Sequence, residues 1–189
     1  MEALEAVMTR SSVAPAFLAE PAPAGEALER ILAAAASAPD HGRLRPWRFI
    51  VIRGEARARL GEVFADALRQ RQPDAAEPAL EQERARPLRA PLLIAVVARL
   101  EPQHPKIPEI EQILSTGAAV QNLLLAAHAQ GFGAKWLTGA NAYDDHVKAA
   151  LGLAPDDRLV GFVHLGSIEG KPPSVPHADP AELTVEWSG

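Results

Sequence analysis

The chain contains no cysteine among its 189 residues. That absence excludes disulfides, thiolate nucleophiles, zinc–thiolate sites and iron–sulfur clusters together. Positive charge is in the minority, with 19 Lys and Arg against 24 Asp and Glu and a formal net charge of −5. The isoelectric point is about 5.7. Broad nucleic-acid binding needs a basic footprint, so no nucleic-acid partner is expected, although a local basic patch stays open. Long apolar runs are also missing. A membrane-spanning helix needs on the order of 20 apolar residues, so no membrane span is expected. The opening "MEALEAVMTR" is acidic and amphipathic, without a basic leader before an apolar run. No signal peptide is expected, and a cytoplasmic location is the expectation.

What is present is ordinary for a folded protein, 48% apolar and 23% charged. The length fits a single domain, residues 1–189. A chain of this size buries roughly 70% of its unfolded surface and needs no staples.

Periodicity gives the elements. Leu4, Val7 and Met8 share helical spacing, as do Leu28, Ile31, Leu32 and Ala35 over 26–36. Pro39 stops the second helix, since the residue before a proline avoids the helical region. "WRFIVI" (47–52) is aromatic and β-branched and predicts a strand, closed by Gly54. Leu60, Val63, Phe64, Ala67 and Leu68 form the next helical face. A charged, proline-interrupted stretch from Gln70 to Arg89 is expected to be part helix and part mobile. "PLLIAVVARL" (91–100) predicts a strand buried on both faces. "EPQHPKIP" (101–108) reads as a loop.

A helix over 109–130 follows, with a small-residue middle, "STGAAVQN", that permits close approach of a backbone or a flat ligand. Gly131 suits its end. "GAKWL" predicts a short strand, 144–151 a short helix, and "RLVGFVHLG" (158–166) another buried strand. The proline-rich tail ends in "LTVEW" (183–187), expected to be a last strand that crosses to a second subunit. Helices and strands mix without strict alternation, which predicts an α+β fold with helices around one mixed sheet.

Several familiar motifs fail on context. "GFGAKW" holds Gly-x-Gly, but it follows a helix and enters a strand, the reverse of a dinucleotide-binding turn. The six histidines (His41, His104, His128, His146, His164, His177) show no ligand-like spacing, so no metal site is expected. The serines lack a nucleophile-elbow setting. Three pieces hold more chemistry. "TRSS" (9–12) sets an arginine and three hydroxyls just after a helix, donors that suit phosphate. They equally suit a plain helix terminus. "KWLTG" (135–139) offers a planar cover and a hydroxyl, or merely a strand end. "APDHGRLRPW" (38–47) puts Asp40, His41, Arg43 and Arg45 in one loop, facing either a polar ring or solvent.

Together these pieces carry a resemblance. In order, "EALEAVMTRSS", "LAEPAPAGEALERILAAAASAPDHGRLRPWRFIVI", "RAPLLIAVVA", "STGAAVQNLLLAAHAQGFGAKWLTGA" and "LVGFVHLGS" resemble the nitroreductase family, within it the short branch of minimal NAD(P)H nitroreductases. The resemblance implies a nitroreductase-like three-layer sandwich and a homodimer with FMN at the subunit interface. The C-terminal strand is then exchanged between subunits. It implies FMN as cofactor, NADH or NADPH as electron donor, and a small-molecule acceptor reduced in a two-step exchange. Carried over, Arg10, Ser11 and Ser12 match phosphate and ribityl ligands. Ser37, Pro39 and His41 match the ring site, some reaching the partner's flavin. Trp136, Leu137 and Thr138 match the segment lining the flavin, and Lys171 a basic residue reaching the phosphate. Ala126 to Gly131 matches a region near the nicotinamide nucleotide.

The chain departs from the pattern in two places. Ala14 stands where many members have a second basic residue, so Arg43, Arg45 or Lys135 is the expected substitute. Asp40, His41, Arg43 and Arg45 stand where most members have serine and amide side chains. No side chain is clearly a general acid, and His41 either delivers a proton or only hydrogen-bonds the ring. Other FMN chemistry on this scaffold (dehalogenation, flavin breakdown, dehydrogenation) and a non-catalytic flavin-binding protein are the alternatives.

Overall fold

The apolar run at 92–98 becomes the centre of the molecule. In the computed structural model, which describes residues 2–173, 176 and 178–189, all of β3 (Leu92–Ala98) is buried. Successive side chains on a strand point to opposite faces. Leu93, Ala95 and Val97 therefore join one apolar cluster. Leu92, Ile94 and Val96 join the other. A strand covered on both faces explains a sequence without polar alternation.

β3 pairs with β2 (Trp47–Arg53) on one side and β5 (Arg158–Ile168) on the other. β4 (Phe132–Leu137) pairs with the far edge of β5. The two-residue β1 (Leu18–Ala19) pairs with the end of β5, at Ser167 and Ile168. Each of these pairings is antiparallel. The sheet is thus antiparallel over the described residues rather than mixed.

One face carries α2 (Gly25–Ala36) and the long α5 (Glu109–Ala129). The other carries α3 (Glu55–Arg71) and α6 (Asp145–Ala150), with α4 (Glu77–Ala85) packed outside α3. This is the expected three-layer arrangement. α2 and α5 are joined by more than apolar contact. Asn122 Nδ2 donates to the Ala34 carbonyl (3.2 Å) and Gln130 Nε2 to the Ala27 carbonyl (3.3 Å). α1 (Ala3–Thr9) lies against α5. The stretch expected to be partly mobile is instead ordered, as α4 followed by a 3₁₀ turn at Arg86–Arg89. Arg84 holds it down by bonding Glu62 of α3 as well as Glu77 and Glu81.

The tail corrects one expectation. "LTVEW" forms no strand here. Leu183 closes the short α7 (Pro180–Leu183), and Thr184 to Gly189 has no regular structure. Leu183, Val185 and Trp187 are 76%, 91% and 88% exposed, so the tail pairs with no strand of this chain. No described helix is long and apolar enough to cross a membrane.

Candidate functional site

The "TRSS" segment leaves α1 and is tied to the edge strand. Arg10 caps α1, its N–H bonded to the Ala6 carbonyl at 3.1 Å, and Val13 N–H donates to the Ala134 carbonyl of β4 at 3.0 Å. This turns Arg10 and Ser11 toward a cleft of about 280 Å³. The opposite wall is the C-terminal half of α5, through Leu124 and His128. Phe132, Ala134 and Ile168 form the apolar floor, and Pro172 and Pro173, beside Lys171, form the rim.

His128 is fixed by the same junction. Its Nε2 lies 2.9 Å from Thr9 Oγ1. The Thr9 hydroxyl gives its proton to the Glu5 carbonyl at 2.7 Å. A hydroxyl has one proton, so His128 Nε2–H is the donor in that pair. The cleft thus has guanidinium and hydroxyl donors at one end and an apolar body. That donor set fits a phosphate carried on a longer, flatter group.

The expected ring-site loop stands elsewhere. Ser37 ends α2 with its hydroxyl donated to the Ala34 carbonyl at 2.8 Å. Pro39 is exposed. His41 Nδ1 pairs with Glu111 Oε2 on the first turn of α5, at 2.7 Å, and both side chains stay about half exposed. Backbone geometry in this loop is unusual. Gly42, Arg43 and Arg45 all have positive φ, at 67°, 58° and 51°. Non-glycine residues held there cost on the order of 1 kcal/mol or more each. The Arg45 N–H, bonded to Asp40 Oδ2 at 2.7 Å, holds the shape.

Within one chain, therefore, the expected residues do not meet in one cavity. Arg10 and Ser11 line the cleft, with Lys171 adjacent to its rim, while Ser12 is exposed beside it. Trp136 is 39% exposed on β4. Leu137 and Thr138 line a different pocket, on the α3 face. None of the three expected cationic substitutes lines the Arg10 cleft. Arg43 is exposed, Arg45 flanks a separate groove with Arg48 and Arg99, and Lys135 is the cross-strand neighbour of His164. The physical reason for Lys135 is strand alternation, which sends it to the face opposite Ala134.

Among the described residues no group of acidic or histidine side chains is placed to hold a metal. His177 lies outside the described residues. Within the 126–131 stretch that the resemblance sets near the nicotinamide nucleotide, residue type alone marks no single ligand, and the structure puts His128 on the cleft wall. Its position four residues after Leu124 on a helix, on the same face, is the signal that finds it.

Comparison with known proteins agrees with this fold. The profile described as "Nitroreductase family" matches residues 7–167. The chain is 44% identical over 167 residues to the "Putative NAD(P)H nitroreductase YdjA" of Escherichia coli (strain K12), covering 88% of each chain. Among solved structures, the nitroreductase-like family protein from Bacillus cereus superposes with a TM-score of 0.84 at 23% identity, covering 100% of this chain and 97% of that one. A protein described as a "putative nitroreductase" from Desulfovibrio desulfuricans, solved in complex with FMN, gives 0.73 at 26% identity, covering 100% of this chain and 98% of that one.

Proposed function

This chain belongs to the nitroreductase family, a family of oxidoreductases, and from that premise we propose that it is an FMN-dependent enzyme. It takes electrons from NADH or NADPH and reduces electron-poor acceptors such as nitroaromatics or quinones in a two-step exchange. The observation that carries the reading is the Arg10 cleft, which sets phosphate donors at one end of an apolar slot along β4. FMN held in this cleft would supply the two-electron redox chemistry that the side chains themselves lack.

The chain's own residues bind, orient and exclude water. Arg10, Ser11 and Ser12 hold the phosphate end, with Lys171 reaching in from the rim. Trp136, Leu137 and Thr138 continue the line of β4 and support the ring. The cleft of about 280 Å³ lies just below the roughly 300–1,000 Å³ typical of ligand pockets. One chain does not enclose the whole group.

A homodimer completes the site in this reading. Leu4, Val7 and Met8 of α1 and Ile110 and Leu114 of α5 are exposed apolar residues. Exposed apolar surface of this kind marks an interface. Across it, Ser37, Pro39, His41 and Arg43 reach the partner's cleft. There His41 hydrogen-bonds the ring, and Arg43 adds positive charge that favours the reduced flavin.

The test is direct. The purified protein is expected to be yellow and to release FMN on denaturation. Anaerobic NADH or NADPH is expected to bleach the flavin, and a nitroaromatic or quinone to restore it. A flavin that never bleaches marks a non-catalytic flavin protein. A colourless protein that ignores added FMN overturns the cofactor assignment.

A further inference from the structure

The loop that carries His41 has a backbone shape that its own residues do not account for. Gly42, Arg43 and Arg45 all stand at positive φ, and two of them bear long side chains. Backbone held this way persists only where its surroundings over-determine it, and such segments cluster at functional sites. Here the surroundings are α5 and the loop that leads into it.

Ile107 makes the contact. It is 4% exposed, and a Cβ on Gly42 would meet its Cδ1 at 2.7 Å. Ile107 therefore presses on the 3₁₀ turn at His41–Arg43, and only glycine leaves it room. A peg of this kind sets a shape only if it cannot retreat. Ile107 lies near the end of the proline-rich 101–108 loop, and Gln112 holds that loop in place.

The Gln112 amide is buried, 1% exposed, and fully used. Its Oε1 accepts from the Glu101 N–H at 2.9 Å. Its Nε2 donates to the Glu101 carbonyl at 3.1 Å and to the Ile107 carbonyl at 3.0 Å. One side chain thus pins both ends of the loop to the start of α5. Between those ends, His104 Nδ1 accepts from the N–H groups of Lys106 and Ile107, at 3.3 and 3.0 Å. The neighbouring Glu111 holds His41 itself. Two consecutive residues of α5 therefore grip the His41 turn, one directly and one through Ile107.

We propose that Gln112 is a positioning residue, which through Ile107 fixes the turn that presents His41 and Arg43 to the flavin ring held by the partner subunit. This role rests on the flavin reading of the site. The physical gain is preorganisation. Only molecules whose turn already has the presented shape bind at full strength, so a tenfold fall in that fraction weakens the flavin about tenfold. Gln112→Leu keeps most of the side-chain volume but leaves the Glu101 N–H and two carbonyls without their partner.

The test uses the purified full-length protein in three single variants. Gln112→Leu cuts the tie, and Ile107→Ala removes the peg. Leu80→Ala is the control, since that buried side chain packs α4 on α3, away from this loop. The first two are expected to speed hydrogen exchange at the Arg45 amide, which Asp40 holds in the turn. Both should weaken FMN and riboflavin alike, about tenfold, because the loss lies at the ring rather than the phosphate. Leu80→Ala should lower stability and leave flavin affinity and Arg45 exchange unchanged. Gln112→Leu combined with His41→Ala should lose less than the product of the two single losses, since both act through one turn. Where Gln112→Leu does not fold, Ile107→Ala decides. An equal loss in Leu80→Ala, losses that multiply in the double variant, unchanged Arg45 exchange, or undiminished flavin affinity beside a flavin-loaded wild type would each overturn this role alone. A wild-type protein that takes up no flavin would overturn the flavin reading and this role with it.

Discussion

The indole Nε1 of Trp136 donates to the carbonyl of Val160, at 3.1 Å. Val160 is the residue that the β5 bulge leaves without a partner on β3, where Val96 faces Gly161 and Val97 faces Leu159. An edge-strand side chain thus satisfies a carbonyl that the ladder has released. Gly161 makes this possible. Its φ is +146°, and a Cβ there would meet Trp136 Nε1 at 2.5 Å and the Leu137 carbonyl oxygen at 2.6 Å. Gly161→Ala is expected to destabilise the fold by about 2 kcal/mol or more through overpacking and strain. Urea denaturation measures the loss, and altered tryptophan fluorescence would report the displaced indole.

Arg10 separates phosphate recognition from ring recognition. Arg10→Ala is expected to weaken FMN binding by roughly tenfold or more, the loss of charge-assisted bonds to a phosphate. Riboflavin, which has no phosphate, should bind both proteins alike. An equal loss for both flavins would mean that Arg10 supports the cleft wall rather than the phosphate.

His41 and Glu111 form a half-exposed pair, so the pair itself should matter little to stability. Glu111→Gln is expected to change the unfolding free energy by less than about 1 kcal/mol. His41→Ala should instead reduce flavin occupancy, read from the absorbance ratio of flavin to protein. Full occupancy with failed reoxidation by acceptor would assign His41 the proton instead.

His164 gives the fold a pH dependence of known sign. Burial, the largest cause, holds its folded pKa below the ordinary value of 6.5. The unfolded chain therefore binds the extra proton first. Stability is full above about pH 6.5 and falls as the pH drops below it, levelling off once the folded pKa is passed. His164→Gln should flatten this part of the stability curve, measured by denaturant titration between neutral and mildly acidic pH.

The exposed tail is expected to act between subunits. Removing residues 180–189 takes away Leu183, Val185 and Trp187, each more than three-quarters exposed. In the dimer reading this raises the dissociation constant of the dimer and lowers flavin content together. Analytical ultracentrifugation checks the first and absorbance the second. An unchanged dimer would remove the tail from the interface.

Much of the fold was legible before any coordinates. β3, α5, β4 and β5 fall within a few residues of their predicted limits, because burial writes a period of its own into each. The bulge at Val160 did not show. It depends on pairing partners far apart in the chain, and Gly161 looks like any glycine in a strand. The tail misled for a related reason. "LTVEW" has strand-forming residues, but a strand needs an edge to pair with, and in this chain the tail lies on none.

The candidate site divides along the same line. The sequence by itself determined the chemistry available: Arg10 and the serines after it, the Trp136–Thr138 segment, and the absence of any thiol. These follow from residue type and local order. Only the tertiary structure decided which groups share a cavity. Val13 bonded to Ala134 brings Arg10 to β4, and the alternation of β4 sends Ala134 to one face and Lys135 to the other. It also put His128 beside Thr9 and set Ile107 against Gly42. Those neighbours are distant in the chain, and only the packing of helices on both faces of one sheet brings them together.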